Sequence, residues 1–392
     1  MPDLLVVTFP QYPSSPATEF LPLEDSRGPR RISSGVKKGV VTLRDVARRA
    51  RVSVSTAARA LGGYGYVSPT TRERVLRAAR TLDYHPNAVA RSMIKGRTHT
   101  LGVVVSDSSN PFFAAVVRGV EDVALPYGYG ILLCNADEDP RKEAMYLSML
   151  RQKRVDGVIV SPSGESSTAL AGLLTAGVPV VQVDRRVRGL PTDAVVVDNR
   201  AGVFAAVEHL ARLGHRHIAL IGGPGRLYTG RERTRAFREA LRRFGLPLVE
   251  SWLLEGTFKV DSGYRLAARL FDSSPRPTAV FVANNLMTIG ALLWFKQAGV
   301  RIPDDIAVVG FDDMDWAPIL TPPLTAVAQP TFELGKTAAT LLLGRLQDPS
   351  CPPRVVVLPP RLVVRESCGA RLAPVSRTGS AGEPMPPPRS SP

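Results

Sequence analysis

The sequence predicts a small all-α helix-turn-helix unit followed by a larger α/β core in which a parallel sheet occurs twice. Three observations predict it. Residues 41–61 carry two short amphipathic stretches, each preceded by a helix-capping residue. From Leu101 onward, short continuous apolar runs alternate with helical stretches, the texture of parallel sheet covered on both faces. The net charge of +15 is unevenly placed: between Arg30 and Arg97 stand 16 Lys or Arg against 3 Asp or Glu, so that stretch holds +13 of it.

Thr42 opens the first amphipathic stretch and Asp45 follows three residues on, the spacing of a capping box. Val46 and Ala50 fall at i and i+4 on one apolar face of a helix over 43–50. Arg51-Val52 breaks the period. Ser53 offers a second cap, and 54–61 forms the second helix, with Ala57, Ala60 and Leu61 inward and Val54, Ser55 and Arg59 outward. Helices this short cannot bury a core alone. As a pair they can hold the second in a major groove, its first residues at base edges. A surface helical hairpin of some other domain is the alternative. Ser68-Pro69 then starts a third helix, and Val75, Ala78, Ala79 and Leu82 give it the apolar face that closes a three-helix unit. The basic excess coincides with this unit, as a phosphate-binding module requires.

At 392 residues, 44% hydrophobic and 22% charged, the chain has room for two or three domains of ordinary globular composition. Cys134, Cys351 and Cys368 have no paired spacing, so neither a zinc nor a thioredoxin-type site is suggested, and free thiols fit the cytoplasm. No apolar run approaches a membrane span and the N-terminus lacks the layout of a secretory signal; no membrane partner is expected. Residues 1–40, unperiodic and rich in Pro, Ser and Gly, are expected to be a disordered extension, or a gene start placed too early. The tail 368–392 is expected to be disordered, with no heptad leucines for a coiled coil.

In the core, strands are expected at 101–105, 130–134, 157–160, 178–183 and 194–197, with helices at 111–127, 141–152 and 168–176. A second series places strands at 218–221, 253–255, 279–282 and 307–310, and helices at 201–213, 231–244, 262–270 and 287–298. Ligands of open α/β sheets bind at the carboxyl ends of strands. That directs attention to Ser106 through Phe113, Asp184-Arg185, Asp198-Asn199 and Gly222-Gly223-Pro224.

In combination, Thr42-Leu43-x-Asp45-Val46-Ala47, Val52-Ser53-x-x-Thr56, Val67-Ser68-Pro69-x-Thr71-Arg72 and Asn87-x-Val89-Ala90-Arg91-Ser92 resemble the lactose- and purine-repressor family of bacterial transcription regulators, over residues 41–367. The resemblance implies a ligand-controlled repressor, a cytoplasmic homodimer on double-stranded operator DNA. It implies a DNA-binding domain at 41–86, a hinge helix and linker at 87–98 and an effector-binding core at 99–367. That core would be periplasmic-binding-protein-like (type I): two doubly wound parallel-sheet subdomains joined by three crossing strands. The first would take about 99–197 and 330–353, the second about 198–327 and 354–367.

DNA contacts are implied for Thr42, Ser53, Val54, Ser55, Thr56, Arg59 and Tyr66. In a hinge that enters the minor groove they are implied for Asn87, Ala90, Arg91 and Met93. Met93 stands where the family usually has Leu and keeps an apolar wedge. Ala57-Ala58 replaces the commoner Val-Ser and removes a hydroxyl that could meet a phosphate.

The implied effector is a small molecule, by resemblance a sugar or related metabolite, with no cofactor. Phe112 and Phe113 would supply one core ring and one pocket ring, with a polar contact near Ser106 or Asp107. Asp184, Thr229, Arg233, Phe258, Asn284 and Asp312 complete the set. The Arg233 guanidinium can hold sugar hydroxyls or a carboxylate in two hydrogen bonds. Asn284-Asn285 stands where the family usually has Asn-Asp. Either Asn285 keeps a helix cap, or the ligand differs in charge or hydroxyl pattern.

The sequence contains no G-x-S-x-G, Walker or complete G-x-G-x-x-G motif, so an enzyme is not expected. His209, His215 and His217 sit at what the family resemblance makes an ordinary helix end, not a metal site. The rival is a binding protein of the same core fold without regulation, against which the basic helix-turn-helix counts.

Overall fold

The computed structural model describes residues 41–84, 97–164 and 168–370. They separate into two compact units, one on either side of segment 85–96. The expectations for residues 1–40, for Asn87, Ala90, Arg91 and Met93, and for the tail beyond Ala370 lie outside the described residues.

The first unit consists of α1 (Leu43–Ala50), α2 (Val54–Gly62) and α3 (Pro69–Thr81). The Asp45 carboxylate accepts both the amide (2.9 Å) and the hydroxyl (2.7 Å) of Thr42, so the acidic half of the capping box closes the start of α1. Arg51, with φ 51°, takes a left-handed backbone that ends α1. The Ser53 hydroxyl accepts from the Thr56 amide at 3.1 Å and opens α2. Ser68 caps α3 through the Thr71 amide, with Pro69 in the first turn. The core is Val46, Ala47, Ala50, Ala57, Ala60, Val75, Ala78 and Ala79. Small side chains let three short helices approach closely, but bury little apolar area.

The second unit holds two six-stranded sheets. The first contains β1 (Thr100–Val105), β2 (Gly130–Asn135), β3 (Gly157–Val160), β4 (Val180–Val183), β5 (Asp193–Val197) and β11 (Val355–Leu358). Their order is β11-β5-β4-β3-β1-β2, all parallel. The second contains β6 (Ile218–Gly222), β7 (Leu253–Glu255), β8 (Ala279–Val282), β9 (Ala307–Phe311), β10 (Thr325–Ala328) and β12 (Arg361–Val363). Their order is β12-β10-β9-β8-β6-β7, parallel except for β12. Helices α4 (Pro111–Ala124), α5 (Pro140–Gln152), α6 (Thr168–Thr175) and α11 (Thr331–Gln347) cover the first sheet. Helices α7 (Asn199–Arg212), α8 (Tyr228–Arg243), α9 (Val260–Phe271) and α10 (Asn285–Gln297) cover the second. Central strands such as β3, β4 and β8 are buried at every residue, as strands covered on both faces must be.

Each sheet with its helices forms a lobe, and the chain crosses between lobes from β5 to α7, from β10 to α11 and from β11 to β12. One expected boundary is corrected. The family template puts residues 354–367 in the second lobe, but Val355–Leu358 pairs with β5 in the first sheet, from Val355↔Ala194 to Leu358↔Val197. The fully buried Asp193 fixes it there, accepting from Arg345 Nε at 2.6 Å and from the Arg354 amide at 2.8 Å. The tail boundary shifts too. Cys368 is fully buried in the second lobe, with its sulfur 3.1 Å from His209 Nε2 and 3.2 Å from Thr325 Oγ1, so order extends past 367.

Both lobes use the same device to seat a helix pair. A Cβ on Gly119 of α4 would lie 2.1 Å from Phe332 O, and one on Gly335 of α11 would lie 1.9 Å from Val116 O. In the second lobe, Gly263 of α9 and Gly290 of α10 would place a Cβ 2.1 Å from Met287 O and 2.0 Å from Val260 O. Only glycine permits such backbone contact.

Candidate functional site

In the first unit the outer face of α2 presents Val54 (43% exposed), Ser55 and Arg59, and Tyr66 beyond it is 87% exposed. The Ser53 hydroxyl is committed to its cap and contacts Ser55 Oγ (2.9 Å) and Thr56 Oγ1 (2.8 Å), so it shapes the helix start. Thr42 is exposed, with its hydroxyl held by Asp45. Arg59 Nε donates to Ser55 O at 3.4 Å. Arg44, Arg48, Arg49 and Arg51 surround α1 in the open. A methyl-bearing side chain, a hydroxyl and a guanidinium at one helix start are groups that meet a thymine methyl, a base edge and guanine.

In the second unit, the segments after β1, β2, β4, β6, β7, β8 and β9 converge from the two lobes on one cavity. Its walls include Asp107, Asn110, Phe112, Phe113, Glu138, Asp184 and Arg185 from the first lobe, and Thr229, Arg233, Phe258, Asn284, Leu286 and Asp312 from the second, with Gln329 at a crossing. Four of these, Glu138, Asp184, Phe258 and Asp312, have φ between 59° and 73°. Left-handed backbone is uncommon for such residues and re-aims each loop at the cavity.

Nine of the ten sequence-chosen effector residues border this cavity; Ser106 does not. Fully buried, its hydroxyl donates to Ser161 O at 3.3 Å and accepts from Arg185 Nη1 at 3.1 Å, so it positions Arg185 from beneath. The division of the phenylalanines into one core ring and one pocket ring is also corrected. Both rings are buried in the first-lobe core, both border the cavity, and they meet edge to face at 5.0 Å. Asn284 proves to be the cap of α10, its Oδ1 accepting from the Met287 amide at 2.9 Å while its Nδ2 donates to Phe258 O. Asn285 is therefore not the cap.

Three cavity residues escape the sequence reading, Glu138, Leu286 and Gln329, and Asn110 is legible only as part of the loop after β1. Arg185 is legible only as a strand end. It donates to both carboxylate oxygens of Glu138, at 2.5 and 2.8 Å. Arg233 donates through Nε to Asn199 Oδ1 at 2.7 Å and through Nη1 to Ala283 O, with its guanidinium 3.6 Å from the Phe311 ring centroid. Asp312 accepts from Gln329 Nε2 and from the Asn285 amide. Burial pushes the Asp184 carboxyl up to about 6, against the opposing pull of Arg185 and Arg233. Burial also raises Asp107, but hydrogen bonds from Lys259 and Ser109 outweigh it and leave the carboxyl below its ordinary value. The lining carries four carboxyl groups against two guanidinium groups.

A basic helix-turn-helix joined in one chain to a two-lobed α/β core with a polar cleft defines a DNA-binding regulator that responds to a small ligand. Residues 42–87 match the bacterial regulatory proteins of the lacI family, and residues 207–368 match the periplasmic binding protein-like domain. The chain is 37% identical over 329 residues to the HTH-type transcriptional repressor PurR of Photobacterium profundum, an alignment covering 84% of this chain and 98% of that protein. Among solved structures, the lac repressor dimer bound to operator and the anti-inducer ONPF matches with TM-score 0.75 and 29% identity, over 84% of this chain and 99% of its own. The transcriptional regulator CelR–cellobiose complex matches with TM-score 0.63 and 36% identity, over 83% and 99%. The chain belongs to the lacI family of bacterial regulatory proteins. These relatives are named as transcriptional repressors and regulators, not enzymes.

Proposed function

We propose that this chain is a sequence-specific transcriptional repressor, acting in the cytoplasm, whose operator affinity is set by a small metabolite in the cleft. The observation that carries this reading is the cavity between lobes, to which each lobe contributes buried polar and aromatic side chains. A ligand touching both lobes biases their closure, and only such differential binding can change the state of a distant DNA unit.

The metabolite inferred is a neutral polyol of small-sugar size. Four carboxyls against two guanidiniums disfavour an anion. Hydroxyls can accept from Arg233 and Thr229 while donating to Asp184, Asp312 and the buried, unpaired Gln329 Oε1. The ligand bound in the CelR structure is named as cellobiose, a molecule of this kind.

The working form is a homodimer, because two recognition helices must reach two half-sites about one helical turn apart. Its support in this chain is the edge strand β2, where Leu132 and Leu133 are exposed beside unpaired backbone, a surface that isolated proteins avoid.

The test is selection of genomic DNA fragments on the full chain, followed by titration of the winning fragment with small sugars and nucleobases present or absent. One fragment bound well above random DNA, with an affinity that a sugar changes, is expected. Arg59→Ala should then weaken that fragment by about 1–3 kcal/mol and relax its sequence preference. Fragments recovered at random, or an Arg59→Ala variant with unchanged affinity and salt slope, would overturn the assignment.

A further inference from the structure

Asn285, the position at which this chain departs from the Asn-Asp usual in the family, reaches across the cleft. It stands in the first turn of α10 in the second lobe, opposite Asn110, which caps α4 in the first. Asn285 Nδ2 donates to Asn110 Oδ1 at 2.8 Å, and Asn110 Nδ2 donates back to Asn285 Oδ1 at 3.2 Å. Both residues are buried. Each carbonyl oxygen also accepts an amide of its own helix: Phe112 N on Asn110 at 3.0 Å and Leu286 N on Asn285 at 2.8 Å. Each side chain is thus oriented by its helix start before it meets the other, and the pair needs no atom from a third molecule.

We propose that the Asn110–Asn285 pair is a neutral latch that holds the two lobes together on its own, so that a ligand tunes closure and does not create it. Two primary amides can exchange two hydrogen bonds; a carboxylate at 285, with no donor, could make only one with Asn110. It would also lie beside Asp312 of its own lobe, whose Oδ2 accepts the Asn285 amide at 3.2 Å, and the two like charges would repel within that lobe. An uncharged buried pair is also insensitive to salt. The cross-cleft ion pairs are not: Lys259 Nζ, a third exposed, meets Asp107 at 2.6 Å and Asp137 at 3.1 Å, and the exposed Arg188 lies 3.6 Å from Glu232. Opening the latch must hydrate four polar groups that are matched when closed. The inference stands whatever ligand the cleft takes.

The test reads lobe separation directly. Spin labels are placed on exposed positions of the two lobes, by Ser148→Cys on α5 and Arg265→Cys on α9, in the full chain with Cys351→Ser and no ligand added. Pulsed electron-spin distance measurement is expected to give one narrow, short-distance population. Asn110→Asp and Asn285→Asp each keep an oxygen for the local helix amide and lose one cross-cleft bond, and each should broaden the distribution. The double variant sets two acceptors face to face and should move most of the population to longer distance. Circular dichroism shows that each variant is folded. A wild-type population already at long distance, or a double variant with the wild-type distribution, would overturn the latch.

Discussion

Asp184 illustrates what the cleft does to a single side chain. The sequence places it at a strand end, and that much is legible. Its burial and its φ of 65° are not, because they arise only in the folded structure, where its amide donates to Val195 O on the neighbouring strand. With a folded-state value of about 6 against about 3.9 for an unfolded aspartate, the native state binds the extra proton between those limits. The sign follows: stability from this group is greatest below pH 4, falls as pH rises from 4 to 6, and stays lower above. The shift corresponds to about 3 kcal/mol in order of magnitude, at 1.36 kcal/mol per unit. Asp184→Asn should therefore gain stability relative to wild type as pH rises from 4.5 to 7.5, by about 2–3 kcal/mol in urea unfolding. A difference between the two proteins that does not change with pH would mean that Asp184 titrates normally. Arg233 is readable through its family motif. Glu138 and Gln329 are not, because they carry no motif and belong to the site only by facing the cleft.

At the scale of elements, the strands that apolar runs predict lie within a residue or two of their observed positions, since full burial leaves a continuous Val and Ile signature. The edge strand β11 alternates exposed and half-buried residues, so nothing in its composition ties it to one lobe, and its place comes from pairing with β5 and from Asp193. The glycine crossings are equally silent: a helical glycine reads as a weakness until its neighbour is known. Two glycines of α11 separate these cases. Gly344 faces open space, whereas a Cβ on Gly335 would strike Val116 O. Gly344→Ala should stabilise the chain by about 0.5–1 kcal/mol by removing backbone entropy from the unfolded state. Gly335→Ala should destabilise it by about 1–3 kcal/mol or more, because α4 and α11 must separate. Denaturation midpoints that move in the same direction for both would refute the close approach.

At the scale of the molecule, the proposed function requires a side chain in the cleft to govern the helix-turn-helix unit. The core grips the chain where it enters the first lobe: Asp156 accepts from the amides of Thr98 and His99, both at 2.8 Å. In the proposed regulator this contact ties Thr98 and His99 to the first lobe, and a ligand bridging the cleft would draw the second lobe towards it. Arg233 is the informative position for separating ligand response from DNA binding. Arg233→Ala is a poor probe, because it strips the hydrogen bonds to Asn199 and Ala283 O and the contact with the Phe311 ring, all inside the second lobe. Loss of a buried charged hydrogen-bond partner costs several kcal/mol by itself. Arg233→Lys keeps the cation and the stem but loses the fork that meets two groups at once. It should bind the selected operator fragment, without ligand, within a few-fold of wild type. The ratio of operator affinities with and without the effective sugar should fall towards one, a loss of about 1–3 kcal/mol of coupling. By reciprocity, operator DNA should then have little influence on the sugar's affinity for the variant. If Arg233→Lys kept the wild-type response at wild-type sugar concentrations, the ligand would not be meeting Arg233, and the cleft would lose its role as the effector site.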